Sequence, residues 1–312
     1  MEQVLTDEER TVTPDWQGLL PAITTPFNAD FTIDHGFLAS HARLLVDRGA
    51  SGVVALGSLG EGATLSYDEK IAILKTCVAA VGDRATVVAG VSSLATSEAI
   101  RIAREASTAG CHGLMVLPPY AYSTDWREMK AHVAEVLDAT DLPAMLYNNP
   151  IAYRTDFLPE QIAELAGEYG QLVAVKESSS DVRRITAIRH LLGARVDVLV
   201  GIDDVILEGV AAGAVGWVAG LANALPAESI VLFRLARAGQ REKAEKLYQW
   251  FLPLLRMDTV PKFVQLIKLV QERMGLGNSR VRAPRLALRG AELREALETI
   301  DRALERRPLS GD

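Results

Sequence analysis

Eight short apolar runs recur along the chain, and the segments between them show helical spacing of their apolar residues. The runs are rich in Val, Ile, Leu and Ala at consecutive positions, which is typical of parallel strands covered on both faces. Successive runs start about 20 to 35 residues apart, enough for one strand, one helix and two loops. This pattern predicts a (β/α)₈ TIM barrel, with an open doubly wound sheet as the competing arrangement. The runs span 19–24, 52–57, 86–90, 113–118, 143–148, 172–176, 196–201 and 215–220.

The strand-like runs stop after residue 224, and segments with apolar residues on one helical face follow. We therefore divide the chain into a polar N-terminal tail (1–15), a catalytic barrel (16–224) and a C-terminal helical domain (225–312). Within the barrel, Ser66 and Glu69 have the spacing of a capping box at the start of the second helix. In the helical domain, breaks are expected near Pro253, Pro261 and Pro284.

The composition narrows the class of protein. A chain of 312 residues, 49% of them hydrophobic, has enough apolar surface for a large core, and its net charge of −7 argues against nucleic acid or an anionic membrane as a partner. Cys77 and Cys111 lack CxxC spacing, and the five histidines lack ligand spacing, so neither a disulfide scaffold nor a metal site is expected. Asp203 and Asp204 are more typical of a cap for the next helix. Without a signal-like or membrane-spanning run, we expect a soluble, cytoplasmic protein.

Lys176 ends the sixth apolar run, at a position where a buried strand should stay apolar. An unpaired ammonium is costly to bury, so this lysine must be paired, solvated or discharged. In a dry barrel mouth its pKa would fall from about 10.4 toward about 7–8, where the amine is a nucleophile for carbonyls and imines. A structural lysine paired with Glu177, Asp203 or Asp204 is the alternative, and the pattern alone leaves both open.

Other unusual residues also follow the strands, at the end where (β/α)₈ enzymes carry their chemistry. Tyr147 ends the fifth run, where its phenol can shuttle a proton or simply fill the barrel. The segment 57-GSLGE-61 allows a tight turn whose N–H groups can hold a carboxylate, and Ser58 can pass a proton; a purely structural turn is the alternative. The tyrosines of 118-PPYAY-122 can reach the mouth or a neighbouring subunit, or pack within their loop.

These segments, in this order and spacing, resemble the dihydrodipicolinate synthase/N-acetylneuraminate lyase family over roughly residues 16–290. The resemblance rests on GSLGE, YNNP, VAVKESS, GIDD and GWVAGLAN. It implies a TIM barrel with a C-terminal helical domain and a homotetramer built as a dimer of dimers. It also implies a Schiff base between the lysine and a small 2-oxo acid, formed without metal or organic cofactor.

The same resemblance implies a role for individual residues. Lys176 matches the Schiff-base lysine, Tyr147 the tyrosine that relays protons, and Ser58 the hydroxyl residue of that relay. Tyr120, or Tyr122 two residues later, matches a tyrosine that synthases donate across the tight dimer interface. The implied substrate-binding positions are Gly57, Leu59, Gly201, Asp203 and Val218.

Two positions depart from the synthase pattern. Leu59 stands where the family often has a second Thr or Ser, so carboxylate binding there would depend on backbone N–H groups. Ala152 stands where synthases place an arginine for the second carboxylate of their substrate, and Arg154 comes two residues too late on the loop. The missing arginine argues against ordinary dihydrodipicolinate synthesis.

Within the family, YNNPIAYRTD, KESSSDVRRI and LYQWFLPLL are similar to the bacterial 1-pyrroline-4-hydroxy-2-carboxylate deaminases of hydroxyproline degradation. These enzymes convert a cyclic imine with one carboxylate to 2,5-dioxopentanoate and ammonia, so no second-carboxylate arginine is needed. Two enzymatic alternatives stay open: a 4-hydroxy-tetrahydrodipicolinate synthase with a rearranged carboxylate site, and another 2-oxo-acid aldolase or dehydratase. A third, a non-catalytic 2-oxo-acid sensor, is disfavoured because binding alone needs no nucleophile.

Overall fold

The computed structural model describes residue 14 and residues 16–119 and 125–308. Most of the predicted N-terminal tail, together with Tyr120 and Tyr122, lies outside this part of the chain. Within it, every predicted apolar run contains a strand. The strands are β1 (Gly18–Pro21), β2 (Gly52–Ala55), β3 (Thr86–Val91), β4 (Gly113–Val116), β5 (Ala144–Asn148), β6 (Leu172–Glu177), β7 (Asp197–Val200) and β8 (Gly216–Ala219).

The strands form one parallel sheet that curves into a barrel. Hydrogen bonds join β2 to β3 and so on in sequence to β8, and β8 pairs with β1. The remaining gap is bridged just beyond β1, where Ala22 pairs with Val54 and the N–H of Ile23 donates to the Val54 carbonyl at 2.9 Å. The predicted (β/α)₈ TIM barrel is therefore confirmed, and the open doubly wound sheet is excluded.

Helices alternate with the strands and then continue alone. The predicted capping box is confirmed, since Ser66 accepts from the N–H of Glu69 and Glu69 accepts from the N–H of Ser66. The described helices are α1 (His35–Asp47), α2 (Tyr67–Val81), α3 (Thr96–Thr108), α4 (Trp126–Leu137), α5 (Pro150–Tyr153), α6 (Pro159–Glu168), α7 (Arg183–Leu192), α8 (Ile206–Ala211), α9 (Pro226–Arg237), α10 (Arg241–Leu255), α11 (Phe263–Arg273) and α12 (Gly290–Glu305).

One predicted helix break differs from the structure. Helix α10 continues through Pro253 and ends two residues later, at Leu255. Proline removes only one backbone hydrogen bond when it lies in the final turn, and a helix that ends within that turn tolerates the loss. Pro253 thus marks the approach to the end of the helix.

A buried ion pair ties the C-terminal helices to the mouth of the barrel. Lys268 of α11 places its Nζ 2.7 Å from the carboxylate of Glu61, and both side chains are buried. Glu61 also accepts from the N–H of Arg282 at 3.0 Å, and Lys268 donates to the carbonyl of Arg280 at 2.6 Å. Because Glu61 belongs to the loop after β2, this network fixes that loop against the helical domain.

Candidate active site

A cavity of about 460 Å³ opens at the C-terminal ends of the barrel strands. Strand ends and the loops after them form most of its wall, and residues from the segment 258–263 of the helical domain complete it. Three predicted catalytic residues line it, namely Lys176, Tyr147 and Ser58. Four predicted substrate-binding residues also line it, namely Gly57, Leu59, Gly201 and Val218.

Lys176 lies near the end of β6 with its side chain reaching into the cavity. The residue is only 6% exposed, so the amine is largely shielded from bulk water. Strand pairing places Lys176 beside Tyr147 of β5, and its Nζ lies 4.0 Å from the centre of the tyrosine ring. The ring face stabilises a positive charge such as an ammonium or a protonated imine.

The carboxylates expected to pair with a structural lysine are engaged elsewhere. Glu177 accepts a hydrogen bond from Asn148 Nδ2 at 3.1 Å, and Asp204 lies 3.8 Å from the guanidinium of Arg256. In the part of the chain that the structure describes, no carboxylate oxygen lies within 4.0 Å of Lys176 Nζ. The geometry therefore favours a reactive amine over a structural ion pair.

Asp203 takes a different position from the one predicted. It is fully buried and absent from the cavity lining, and its carboxylate accepts from Trp217 Nε1 at 2.9 Å and from the N–H groups of Gly220 and Leu221 at 3.1 and 2.7 Å. Burial raises its pKa to about 6, and these donors act in the opposite direction. The capping prediction is wrong, because helix α8 begins at Ile206 without a side-chain cap.

Gly201 leaves the space that the lysine needs. A Cβ at this position would clash with Ser178 Oγ and lie 2.7 Å from both Cγ and Cε of Lys176. The end of β7 must therefore carry glycine for the lysine side chain to pass into the cavity.

A network of hydroxyl groups lines the wall beside Lys176. Asn149 donates from Nδ2 to the phenol oxygen of Tyr147 at 3.0 Å and accepts the N–H of Ala152 at the start of α5. The rings of Tyr147 and Tyr153 meet edge to face, 5.8 Å apart, and the Tyr153 hydroxyl is hydrogen-bonded to Ser58 Oγ. Ser58 and Tyr153 can thus exchange a proton directly, and the Tyr147 phenol lies beside them next to the amine.

Sequence reasoning missed Tyr153. The available signal was a tyrosine six residues after Tyr147, on a short helix opened by Pro150. Its direction depends on the geometry of α5, which turns the residue back toward the loop after β2. The predicted Tyr120 lies outside the described residues.

The loop after β2 can hold a carboxylate. Leu56 has a φ of 65°, a left-handed conformation that is uncommon for leucine and that turns the chain sharply after β2. Within the described residues, the N–H groups of Ser58 and Leu59 make no hydrogen bond, although both residues line the cavity. Backbone N–H groups arranged in this way are suited to anions.

The cations of the cavity differ from the synthase pattern. Ala152 lines the wall, whereas Arg154 is exposed, has a φ of 61° and does not line the cavity. Among the described lining residues, Arg285 is the one cation besides Lys176. The Arg285 guanidinium lies 3.8 Å from the carboxylate of Glu61.

The described part of the chain contains no candidate metal-binding site. No set of three or more His, Cys, Asp and Glu side chains there is arranged to hold a metal ion. Cys77 and Cys111 are both buried and unbonded to each other. In the same part of the chain, none of the helices has the length and apolar character required to cross a membrane.

A barrel that carries a shielded lysine at a strand end, beside a tyrosine, defines a class I aldolase-like enzyme that works through a lysine Schiff base. The chain belongs to the dihydrodipicolinate synthetase family, whose profile matches residues 15–303. In solved structures of this family a C-terminal helical domain follows the barrel.

Several similar proteins carry the name 4-hydroxy-tetrahydrodipicolinate synthase. The 4-hydroxy-tetrahydrodipicolinate synthase of Geobacter metallireducens is 31% identical over 290 residues, which cover 93% of this chain and 99% of the relative. The synthase of Methanococcus maripaludis is 30% identical over 268 residues, covering 86% and 92%. The structure of the synthase from Methylacidiphilum fumariolicum superposes with a TM-score of 0.89 at 28% identity, covering 93% and 96%.

Proposed function

We propose that the protein deaminates 1-pyrroline-4-hydroxy-2-carboxylate to 2,5-dioxopentanoate and ammonia. The observation that carries this proposal is Ala152, a methyl group on the cavity wall where the synthase pattern requires a cation. Ala152 is exposed at the cavity mouth, so a second substrate carboxylate there would find no cationic partner and would gain little binding free energy. A substrate with a single carboxylate needs no such partner.

The residues of the cavity suit each step of this conversion. The amine of Lys176 attacks the imine carbon, and cleavage of the bond from that carbon to the ring nitrogen opens the ring and leaves an imine on the lysine. Tyr147, Ser58 and Tyr153 carry the protons that these steps release and consume. The hydroxyl group then leaves as water, and two hydrolyses release ammonia and the product. The net reaction consumes one water molecule.

The carboxylate next to the imine carbon has a natural binding place. The N–H groups of Ser58 and Leu59 can hold it without a basic side chain. The covalent imine on Lys176 supplies the electron sink, so the proposed chemistry requires no metal or organic cofactor.

Family members are commonly oligomeric, and we extend the proposal to a cytoplasmic homotetramer built as a dimer of dimers, without nucleic-acid or membrane partners.

A 4-hydroxy-tetrahydrodipicolinate synthase is the second candidate. The names of relatives near 30% identity favour it, and so does Arg285, whose guanidinium lines the cavity and offers a different partner for a second carboxylate. In that case Arg285 would replace the arginine missing at Ala152.

Both reactions should be measured on one preparation. We expect ammonia release from the hydroxylated imine to exceed condensation of pyruvate with aspartate semialdehyde by about 10²–10³ in kcat/KM, a gap of about 3–4 kcal/mol in transition-state binding. Lys176→Arg should abolish both reactions, because arginine stays protonated and cannot attack. If condensation is faster than ammonia release, and Arg285→Gln abolishes that condensation, the synthase assignment replaces the deaminase assignment.

Borohydride trapping separates the remaining functions. Reduction in the presence of pyruvate should add a stable mass to the peptide that carries Lys176. Labelling without turnover of either substrate would indicate another aldolase or dehydratase of the family. Neither labelling nor turnover would indicate a non-catalytic sensor.

A further inference from the structure

Asp258 brings a carboxyl group into the cavity from the helical domain. It lies in the short 3₁₀ turn Arg256–Thr259, between α10 and α11, and lines the same cavity as Lys176 and Tyr147. None of the functions assigned above uses this side chain. Nothing in the sequence pattern singles out Asp258, because a lone acid between two helical patterns and ahead of a proline is typical of a loop.

The carboxyl of Asp258 is held close to that of Asp203. A Cβ on Gly220 would clash with Oδ1 of Asp258, lying 2.9 Å from its Cγ and 3.4 Å from Oδ2 of Asp203. The two carboxyl groups therefore approach the same α-carbon. Asp203 is fully buried and Asp258 is half-buried. Two carboxyl groups this close do not readily both carry charge, which favours a proton on one of them.

The donors around the pair decide which carboxyl keeps the proton. Three N–H groups point at Asp203, from Trp217, Gly220 and Leu221, and such donors stabilise a carboxylate. Among the described residues, the backbone N–H of Asp203 is the one hydrogen-bond donor that acts on Asp258. Asp258 is thus the member of the pair that is better suited to stay protonated.

The charges that face Asp258 agree with this assignment. Desolvation raises the pKa of its carboxyl well above the usual range, and the negative charges of Asp203 and Asp204 act in the same direction. Lys176 opposes them. The charge of Asp204 is itself offset by Arg256 at 3.8 Å.

We propose that Asp258 is the general acid that protonates the departing hydroxyl group of the substrate. This inference rests on the proposed deaminase function. A hydroxide ion is a poor leaving group, and a carboxylic acid in the cavity lets the oxygen leave as water. Asp203 then acts as a positioning residue, because its charge keeps the proton on Asp258.

The elimination balances within the cavity. After ring opening, loss of a proton from the neighbouring carbon gives an enamine on Lys176. The enamine electron pair moves along the chain as the carbon–oxygen bond breaks, and the proton of Asp258 goes to the leaving oxygen. The Asp258 carboxylate then takes a proton from the carbon that bears the primary amine, which restores the acid. The hydroxyl groups of the cavity return the first proton to the neighbouring carbon, and the carbon that lost the oxygen takes the proton that the amine releases as it becomes the second imine.

Asp258→Asn tests this role, since the amide keeps the shape of the side chain but cannot donate an acidic proton. We expect kcat for ammonia release to fall at least ~10²-fold, while borohydride still traps pyruvate on Lys176 at the wild-type rate. A borohydride quench during turnover should trap an adduct that retains the substrate hydroxyl group. The wild-type fall of kcat with rising pH, as Asp258 loses its proton, should disappear in the variant.

The outcomes separate this proposal from the function on which it rests. Wild-type kcat in Asp258→Asn, or a trapped adduct already lacking the hydroxyl group, would overturn the acid role while leaving the deaminase standing. Absence of ammonia release by the wild type would overturn both. Asp141→Asn is the matched control: Asp141 is an exposed carboxyl that neither lines the cavity nor acts on Asp258, and the kcat of this variant should stay at the wild-type value.

Discussion

At the residue scale, the proposed reactivity of Lys176 depends on keeping carboxylates beyond ion-pair distance of its amine. The nearby carboxylates are bound by other donors, the ring of Tyr147 covers the amine, and Gly201 leaves room for the lysine side chain. A direct ion pair would hold the lysine in its charged form and block attack. The local hydrogen bonds of Glu177 and Asp203 therefore leave the amine of Lys176 without a direct ion pair among the described residues, as the proposed chemistry requires.

The hydroxyl relay makes a prediction that does not depend on the identity of the second substrate. Tyr147→Phe should slow the exchange of pyruvate methyl protons with D₂O by ~10²–10⁴-fold, because a positioned acid–base group is lost. Tyr153→Phe breaks the contact with Ser58 and should slow exchange by ~10²-fold. Exchange is followed by proton NMR in the presence of enzyme.

Tyr169→Phe serves as the control for the relay, since Tyr169 follows helix α6 and does not line the cavity. Its exchange rate should match the wild type. An unchanged rate in Tyr153→Phe would show that Tyr153 only packs against the cavity wall. Proton transfer would then depend on Tyr147 and Ser58 without Tyr153.

Sequence patterns identified the polar residues that end an apolar strand. They missed the cavity residues that come from short helices and turns outside the strands. Lys176 and Tyr147 stand at the ends of runs whose burial is predictable, so their polarity alone is informative. Tyr153 and Asp258 lie in polar segments, where another polar residue carries no signal. Their directions follow from the turn of α5 and from the docking of the helical domain, which are tertiary properties.

At the element scale, the loop after β2 and helix α11 depend on each other. Glu61 and Lys268 neutralise each other in a site from which water is excluded, 207 residues apart in sequence. Burial lowers the pKa of Lys268, and the charge of Glu61 opposes that shift. The pair therefore holds only while both partners are present.

Removing one partner should be more harmful than removing both. Lys268→Met leaves the buried Glu61 with only the more distant guanidinium of Arg285 at 3.8 Å among the described cations, and should lower the free energy of unfolding by about 3–5 kcal/mol. The double variant Glu61→Gln/Lys268→Met should recover most of that loss. Urea denaturation of the three proteins measures the difference, and equal losses in the single and double variants would contradict the charge explanation.

Strands were easier to predict than the elements between them. A strand buried on both faces is a run of apolar residues, and polar residues return at its ends. The positions of all eight strands therefore follow from the pattern of apolar residues along the sequence. Helix α5 and the 3₁₀ turn at Arg256–Thr259 are too short for helical spacing to appear. These short elements carry Tyr153 and Asp258, which is why the candidate site was only partly predictable.

At the scale of the whole molecule, the barrel and the helical domain are also joined through His41. This residue of α1 is 3% exposed, and its ring lies 3.3 Å from Asn223 Oδ1 and 3.4 Å from Gln271 Nε2 of α11. Burial lowers its pKa to about 4, and the bond to Asn223 opposes this. The folded protein therefore holds His41 neutral over a pH range in which the unfolded chain protonates it.

The sign of the pH effect follows from that shift. The neutral histidine contributes stability that is complete above pH ~6.5 and is lost as the pH falls toward about 4, on the order of 3 kcal/mol. Asp203 acts in the opposite sense, because its pKa is raised to about 6 and its contribution is lost as the pH rises toward that value. The two effects overlap between about pH 4 and 6.

Comparison of variants isolates the histidine. His41→Gln should reduce the loss of unfolding free energy between pH 7 and pH 4.5, because no proton is taken up at this position on unfolding. The exposed His190→Gln should keep the wild-type dependence. Urea denaturation at both pH values measures the slope, and an identical slope in His41→Gln would show that another group controls acid sensitivity.

The segment 258–263 has an evolutionary consequence. The proposed nucleophile stands at a strand end of the barrel, whereas another part of the cavity wall is encoded about 80 residues later, in a short turn between two helices. Point mutations or recombination in that turn can change which molecule is accepted without disturbing the inherited nucleophile. A laboratory library restricted to positions 259–263 would explore new substrate preferences while leaving both Lys176 and Asp258 unchanged.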